Sequence, residues 1–292
     1  MSAETATAGS SSASAAPWAK AVPWRLLRRL TQAGILLLFF GGAWWDWPVL
    51  RGDLSASRVF GVIPLADPFA VLQILATGQA LATTVLVGAL IVVGFYTLVG
   101  GRVFCAWVCP VNAVADAAAW CRDRLGLRGP YRLPRRLRFM ALGLSLILSA
   151  LTGVAAFEWV SPVALAHRGL IFGIGLGWMA VLGVFLFDLF LAVNGWCSHL
   201  CPLGAFYSLV GWLRLCKVRF DHRRCDSCGA CHRTCPVSHV LSLELLRRAG
   251  AVRHGDCLNC GRCISVCPQG ALTFALSAPY LSRTPIQERN DA

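Results

Sequence analysis

The chain has 292 residues, 57% of them hydrophobic and only 14% charged, with 27 Lys and Arg against 14 Asp and Glu and a formal charge of +13. An ordinary soluble domain carries roughly 25% charged residues, so this composition excludes one, and a basic balance in so apolar a chain fits a lipid bilayer with cations along one face better than nucleic acid. The 14 cysteines argue against a secreted disulfide framework, because eight of them fall in two ligand-spaced runs that suit metal on the reducing side of a membrane.

Residues 1–19 are rich in Ser, Ala and Thr and are expected to form a disordered tail. Lys20, Arg25, Arg28 and Arg29 then precede an apolar run that closes in WWDWP, an aromatic interface belt. No small-residue cleavage site follows, so this reads as an uncleaved first span and not a signal peptide. Spans are expected at about 30–45, 80–99, 139–157 and 170–193, since crossing a hydrocarbon core takes about 20 apolar residues.

Orientation follows from the Lys and Arg of the short connections. The stretch 46–79 holds Arg51 and Arg58, and 158–169 holds only Arg168. The stretch 100–138 holds Arg102, Arg122, Arg124, Arg128, Arg132, Arg135, Arg136 and Arg138, and Arg214, Lys217, Arg219, Arg223 and Arg224 follow the last span. Both termini and 100–138 are therefore expected in the cytoplasm of a bacterial cell, with the chain multi-pass in its inner membrane.

The chain also repeats itself. PLADP (64–68), a span and CAWVCP (105–110) match EWVSP (158–162), a span and CSHLCP (197–202), with Pro68 and Pro162 94 positions apart and Cys105 and Cys197 92 apart. Both copies enter from the same side, which makes the repeat parallel and sets its two CxxxCP motifs at one depth. The expected fold is a four-helix membrane domain over 20–216, a ferredoxin-like domain over 217–275 and a tail at 276–292.

CDSCGACHRTCP (225–236) and CLNCGRCISVCP (257–268) each read C-x2-C-x2-C-x3-C-P, the bacterial pattern for two [4Fe–4S] clusters, in which the cysteine before proline ligates the other cluster. One cluster is expected on Cys225, Cys228, Cys231 and Cys267, the other on Cys257, Cys260, Cys263 and Cys235. A pair of zinc sites is the competing reading, because C-x2-C pairs also bind zinc.

Cys105 with Cys109, and Cys197 with Cys201, stand at i and i+4, which puts each pair on one helical face before a helix-ending proline. The candidate roles are a metal or iron–sulfur site or a thiol redox pair; the alternative is plain packing by small buried thiols. Cys121 and Cys216 have no such pattern and read as structural. Proton-carrying candidates are Asp67, Glu158 and His167 in the two returning segments, Asp188 in the last span and His199 inside the second motif. Against these stand an interface-hydrated Asp188 and ordinary loop or interface residues elsewhere.

LSASRVFGVIPLADPFAVLQ (54–73), GRVFCAWVCPVNAVAD (101–116), EWVSPVAL (158–165), GWCSHLCPLGAFY (195–207) and the two cysteine runs together resemble the NapH/MauN family of ferredoxin-type membrane proteins, over about residues 20–275. The likeness leans to the NapH branch. It implies the membrane component of a quinol dehydrogenase that takes electrons from ubiquinol or menaquinol and passes them to a NapG-like periplasmic iron–sulfur partner and a periplasmic nitrate reductase. The alternatives are a maturation or electron-supply factor, as in methylamine dehydrogenase assembly, and, more remotely, a redox-sensing transporter.

Overall fold

The computed structural model describes residues 23–127, 133–173, 175 and 177–276. The expected tail 1–19, the expected tail 276–292 apart from Leu276, which ends a strand, and Lys20, Arg128 and Arg132 lie outside the described residues. Helix α1 (Trp24–Trp44) turns Leu26, Leu27, Leu30 and Leu37 outward and buries Arg28, Gln32 and Phe39. Strands β1 (Leu50–Gly52), β2 (Ala56–Val59) and β3 (Ile63–Ala66) form an antiparallel sheet with Leu50 opposite Val59 and Ala56 opposite Ala66.

From there the chain makes the same passage twice. Asp67 accepts a hydrogen bond from the Phe69 N–H at 3.3 Å, and Pro68 takes the first helical position of α2 (Pro68–Ala76), a side-chain cap before a proline that needs no N–H partner. An apolar helix α3 (Thr83–Val99), the short α4 (Val103–Trp107) carrying Cys105, and a proline-started α5 (Val111–Leu125) follow. The second passage opens with α6 (Arg136–Thr152) and α7 (Ala156–Val160). Ser161 then caps the Ala164 N–H, and α8 (Pro162–Phe172) leads to the apolar α9 (Gly177–Phe190). A π-helical turn, Trp196–Leu200, carries Cys197, and Cys201-Pro202 starts α10 (Pro202–Val210). The copies interlock, since α5 packs on α9 and α10 packs on α3.

Two expected spans have different limits. The run 170–193 is not one helix: Gly173 takes a left-handed conformation at φ 69°, so Leu170–Phe172 closes α8 and Gly177–Phe190 forms α9. The run 139–157 ends as a helix at Thr152, where Gly153 is left-handed at φ 74°. Among the described residues one helix, Trp24–Trp44, is long and apolar enough to cross a membrane by length and composition, whereas α3 and α9 are apolar but shorter. A helix of 17 residues such as α3 rises about 26 Å, just under a hydrocarbon core of about 30 Å. The outer faces of these helices are nonetheless apolar, with Leu90 70%, Met140 66%, Leu151 78% and Met179 68% exposed.

The last third is a small α+β unit. β4 (Cys216–Phe220) pairs antiparallel with β5 (Leu272–Leu276), and α11 (Ala230–Thr234), α12 (Leu243–Ala249) and α13 (Arg262–Val266) lie between them in the chain. Val218, Leu241, Leu246, Ile264 and Leu272 form its core.

Two ion-pair hubs dock this unit on the helices. Asp256, fully buried, receives both its carboxylate contacts from Arg138 Nη2 at 2.6 and 2.7 Å, with Ser208 at 2.5 Å and His239 at 2.9 Å. Asp116 receives Arg262 at 2.5 Å together with Arg29, and Arg28 stands 3.6 Å away. Arg28 and Arg138, which read in sequence only as cationic flanks of spans, are 2% and 3% exposed; Arg138 reaches across to Asp256 and Arg262 to Asp116, while Arg28 holds Ala106, Asn112 and Asp116 within the helical unit.

Candidate metal centres

Three groups of four cysteines come out of this fold. Cys235, Cys257, Cys260 and Cys263 line one cavity of about 20 Å³, so the cysteine before Pro236 stands with the three of the opposite run. Cys225, Cys231 and Cys267 pack together against the same core, while Cys228 is exposed at its edge. The two runs share one backbone design. Ser227 and Gly229 have φ 59° and 69°, and Asn259 and Gly261 have 46° and 74°, so both loops turn through left-handed backbone at matching positions. N–H donors already meet sulfur: Ser227 to Cys225 Sγ at 3.4 Å and Ala271 to Cys267 Sγ at 3.3 Å.

Tetrahedral zinc, with Zn–S near 2.3 Å, draws its sulfurs to within about 4 Å of one another. Among the described residues the one trio of ligand atoms within 4.8 Å of one another is His239, His254 and Asp256, so none of the cysteine sets is drawn in to the spacing of tetrahedral zinc. The His239–His254–Asp256 trio is itself an ion-pair site, because Asp256 is saturated by Arg138 and Ser208. Burial alone would raise the Asp256 carboxyl, but hydrogen bonds from His239, Arg138 and Ser208 and the nearby Arg102 charge hold it well below the usual carboxylate range.

The third group is made by the repeat. Cys105, Cys109, Cys197 and Cys201 line one cavity of about 20 Å³, closed by Phe104, Val163 and Trp196. Cys201 Sγ accepts the Gly204 N–H at 3.4 Å. Asp188, 1% exposed, accepts the Trp196 N–H at 2.9 Å; it is buried, not hydrated at an interface, and it fixes the turn that carries Cys197. Arg102 is fully buried beside these thiols and donates to the Cys197 carbonyl at 2.8 Å.

The four-thiol cavity touches both neighbours. On one side, Trp107 Nε1 donates to the Asn259 carbonyl at 3.2 Å, and Asn259 Nδ2 donates to Val99 and Cys216 carbonyls at 3.0 Å each. On the other, Phe104 stacks on Tyr207 with centroids 5.1 Å apart, and the Tyr207 hydroxyl lies 3.5 Å from Asp67 Oδ1. Burial, with Glu158 nearby, pushes the Asp67 carboxyl up to about 7.

The remaining candidates separate. Glu158 accepts from Ser55 Oγ at 2.8 Å. His167 is fully buried with both ring nitrogens unpartnered, its ring edge-on to Phe39 at 4.7 Å, and burial lowers it to about 4, which keeps it neutral. His199 lies in the π turn with Nδ1 unpartnered. Arg102, Tyr207, Asp256 and Asn259 escaped the reading of the sequence. The left-handed preference of Asn and the Asp next to a cluster cysteine were the signals available.

A 4Fe-4S binding domain family matches residues 81–128 and 171–220, and a 4Fe-4S dicluster domain family matches residues 217–272. The methylamine utilization ferredoxin-type protein MauN of Paracoccus denitrificans (strain Pd 1222) is 47% identical over 82% of this chain and 86% of its own length. MauN of Methylorubrum extorquens is 45% identical over 85% and 88%. The ferredoxin-type protein NapH of Escherichia coli (strain K12) is 39% identical over 88% and 90%. No solved structure is detectably similar.

Proposed function

The chain belongs to the NapH/MauN family of ferredoxin-type electron-transfer proteins, and on that premise we propose that it is the membrane subunit of a quinol dehydrogenase. It draws electrons from membrane quinol and delivers them toward an iron–sulfur partner protein and the reductase that partner serves. The observation that carries this reading is the Trp107–Asn259 hydrogen bond: the residue between the first two motif thiols touches the residue between two cysteines of the ferredoxin unit.

In this reading Cys225, Cys228, Cys231 and Cys267 hold one [4Fe–4S] cluster, and Cys257, Cys260, Cys263 and Cys235 hold the second. Bound there, the clusters supply one-electron transfer. The chain's own residues do the rest. Backbone N–H groups that meet the Cys225 and Cys267 sulfurs offset the negative charge of thiolate ligands. The apolar outer faces of α1, α3, α6 and α9 meet lipid as a four-span bundle, with the ferredoxin unit and the Arg-rich stretch 100–138 on the cytoplasmic side. Quinol oxidation releases protons, and Asp67, half-buried beside the Tyr207 hydroxyl, is the acceptor best suited to take one. Its ionised form is available near neutral pH.

The test is proteoliposomes carrying the purified protein, with a quinol analogue in the bilayer and an external one-electron acceptor. Quinol-dependent acceptor reduction supports the reading, and an acceptor that stays oxidised opposes it. A second reading, an electron-supply factor in methylamine dehydrogenase maturation, is favoured by one observation: the MauN relatives share 45–47% identity with the chain against 39–40% for the NapH relatives. Restoration of nitrate reduction in a strain lacking the NapH relative, or of methylamine dehydrogenase assembly in one lacking MauN, separates the two.

A further inference from the structure

We infer that Cys105, Cys109, Cys197 and Cys201 bind one further iron–sulfur cluster, shared between the two repeats. The inference deepens the electron-transfer reading, on which the purpose of the site rests. Neither matched 4Fe-4S stretch supplies four cysteines by itself. Residues 81–128 contain Cys105, Cys109 and Cys121, and 171–220 contain Cys197, Cys201 and Cys216. Only the two motifs together make a four-cysteine site, and the fold brings them to one cavity.

Several features of that cavity select an iron–sulfur cluster. Its other walls are apolar, from Phe104, Val163 and Trp196, so the site is dry, as a buried cluster requires. Among the described residues no trio of these sulfurs lies within 4.8 Å, so the set is not drawn in to the spacing of tetrahedral zinc. Cys109 and Cys201 stand at the starts of α5 and α10, helices of 15 and 9 residues, whose N-termini favour the thiolate that a metal needs. Binding releases the four thiol protons to solvent.

Arg102 completes the argument. Its guanidinium is 1% exposed, stands 3.9 Å from Asp256 and leaves Nε without a partner. It also faces the Cys105 thiol. An anionic thiolate cluster would balance this buried cation on the side that no carboxylate reaches. The position suits a relay, because Cys105 and Trp107 pack against both the membrane-domain core and the ferredoxin core.

The experiment is anaerobic purification of the full chain and of C109A/C201A, with iron, acid-labile sulfide and electron paramagnetic resonance measured on each. The double variant is expected to lose about two to four irons with as much sulfide, and one resonance signal, while the ferredoxin signals persist. The amount lost tells [2Fe–2S] from [4Fe–4S]. Should the double variant fold poorly, native alkylation of the wild type decides. The four motif thiols are then expected to resist alkylation until the iron is stripped. Equal iron, sulfide and resonance in both proteins, or four freely alkylated motif thiols, overturns the inference. If C109A/C201A loses sulfide while the wild type itself fails to oxidise quinol, the cluster stands and the quinol reading falls.

Discussion

The Tyr207 hydroxyl and Asp67 Oδ1 lie 3.5 Å apart although 140 positions separate them in the chain. Asp67 caps the helix that opens the first repeat, and Tyr207 sits in the helix that closes the second. The two ends of the repeat therefore meet in the interior, and the tyrosine ring stacks directly on Phe104 beside the four-thiol cavity. The Asp67 carboxyl and the four motif thiols thus belong to one packed unit.

Asp67→Asn tests the proton role. A base must be ionised, and this carboxyl is raised to about 7, so quinol oxidation should rise as pH increases through that value. The Asn variant should lose that rising limb and about 100-fold or more in rate. The pH–rate profile at saturating quinol analogue reads it; an unchanged profile removes Asp67 from the chemistry.

Asp256→Asn should undock the ferredoxin unit. It leaves Arg138 and Arg102 buried without a counter-charge, at a cost of about 3–5 kcal/mol. Because the folded-state carboxyl is held below its ordinary range, the stabilisation is fully present above about pH 4 and fades as pH falls below it. Thermal unfolding from pH 7 down to pH 3 should show a steeper acid loss in the wild type than in the variant.

Asn259 holds a left-handed backbone at φ 46° and donates to two carbonyls. Asn259→Gly keeps the backbone and loses the bonds, whereas Asn259→Ala loses both. The alanine variant should be the less stable by about 1–2 kcal/mol. Equal denaturation midpoints for the two would contradict the strain assigned here.

Cys235→Ser should disturb the cluster of the other run. Its side chain lines the cavity of Cys257, Cys260 and Cys263, so it and Cys263→Ser should alter the same resonance signal. Cys231→Ser, four residues away in the chain, should alter the other one. If Cys235→Ser and Cys231→Ser changed the same signal, the crossed ligand set would be wrong.

Much of the site was legible in the sequence because it depends on spacing. The cysteine runs and the two CxxxCP motifs sit at fixed offsets, and the 92-residue interval between Cys105 and Cys197 already placed the motifs together. The half-length helices α2 and α8 were missed, although Asp67-Pro68 and Ser161-Pro162 each spell a capped helix start. Apolar content was read there as part of a loop or a span, and hydropathy does not register a left-handed glycine such as Gly173. The ion-pair hubs were illegible for a different reason. Arg28 and Arg138 find Asp116 and Asp256 only through tertiary packing, and a count of charges treats a buried arginine and a headgroup-facing one alike.

The most direct measurement is anaerobic addition of a quinol analogue to the purified protein in proteoliposomes, while the visible iron–sulfur absorbance is followed. The account predicts bleaching by quinol, and slower bleaching in Asp67→Asn. Clusters that stay oxidised with quinol yet bleach fully with dithionite would contradict it.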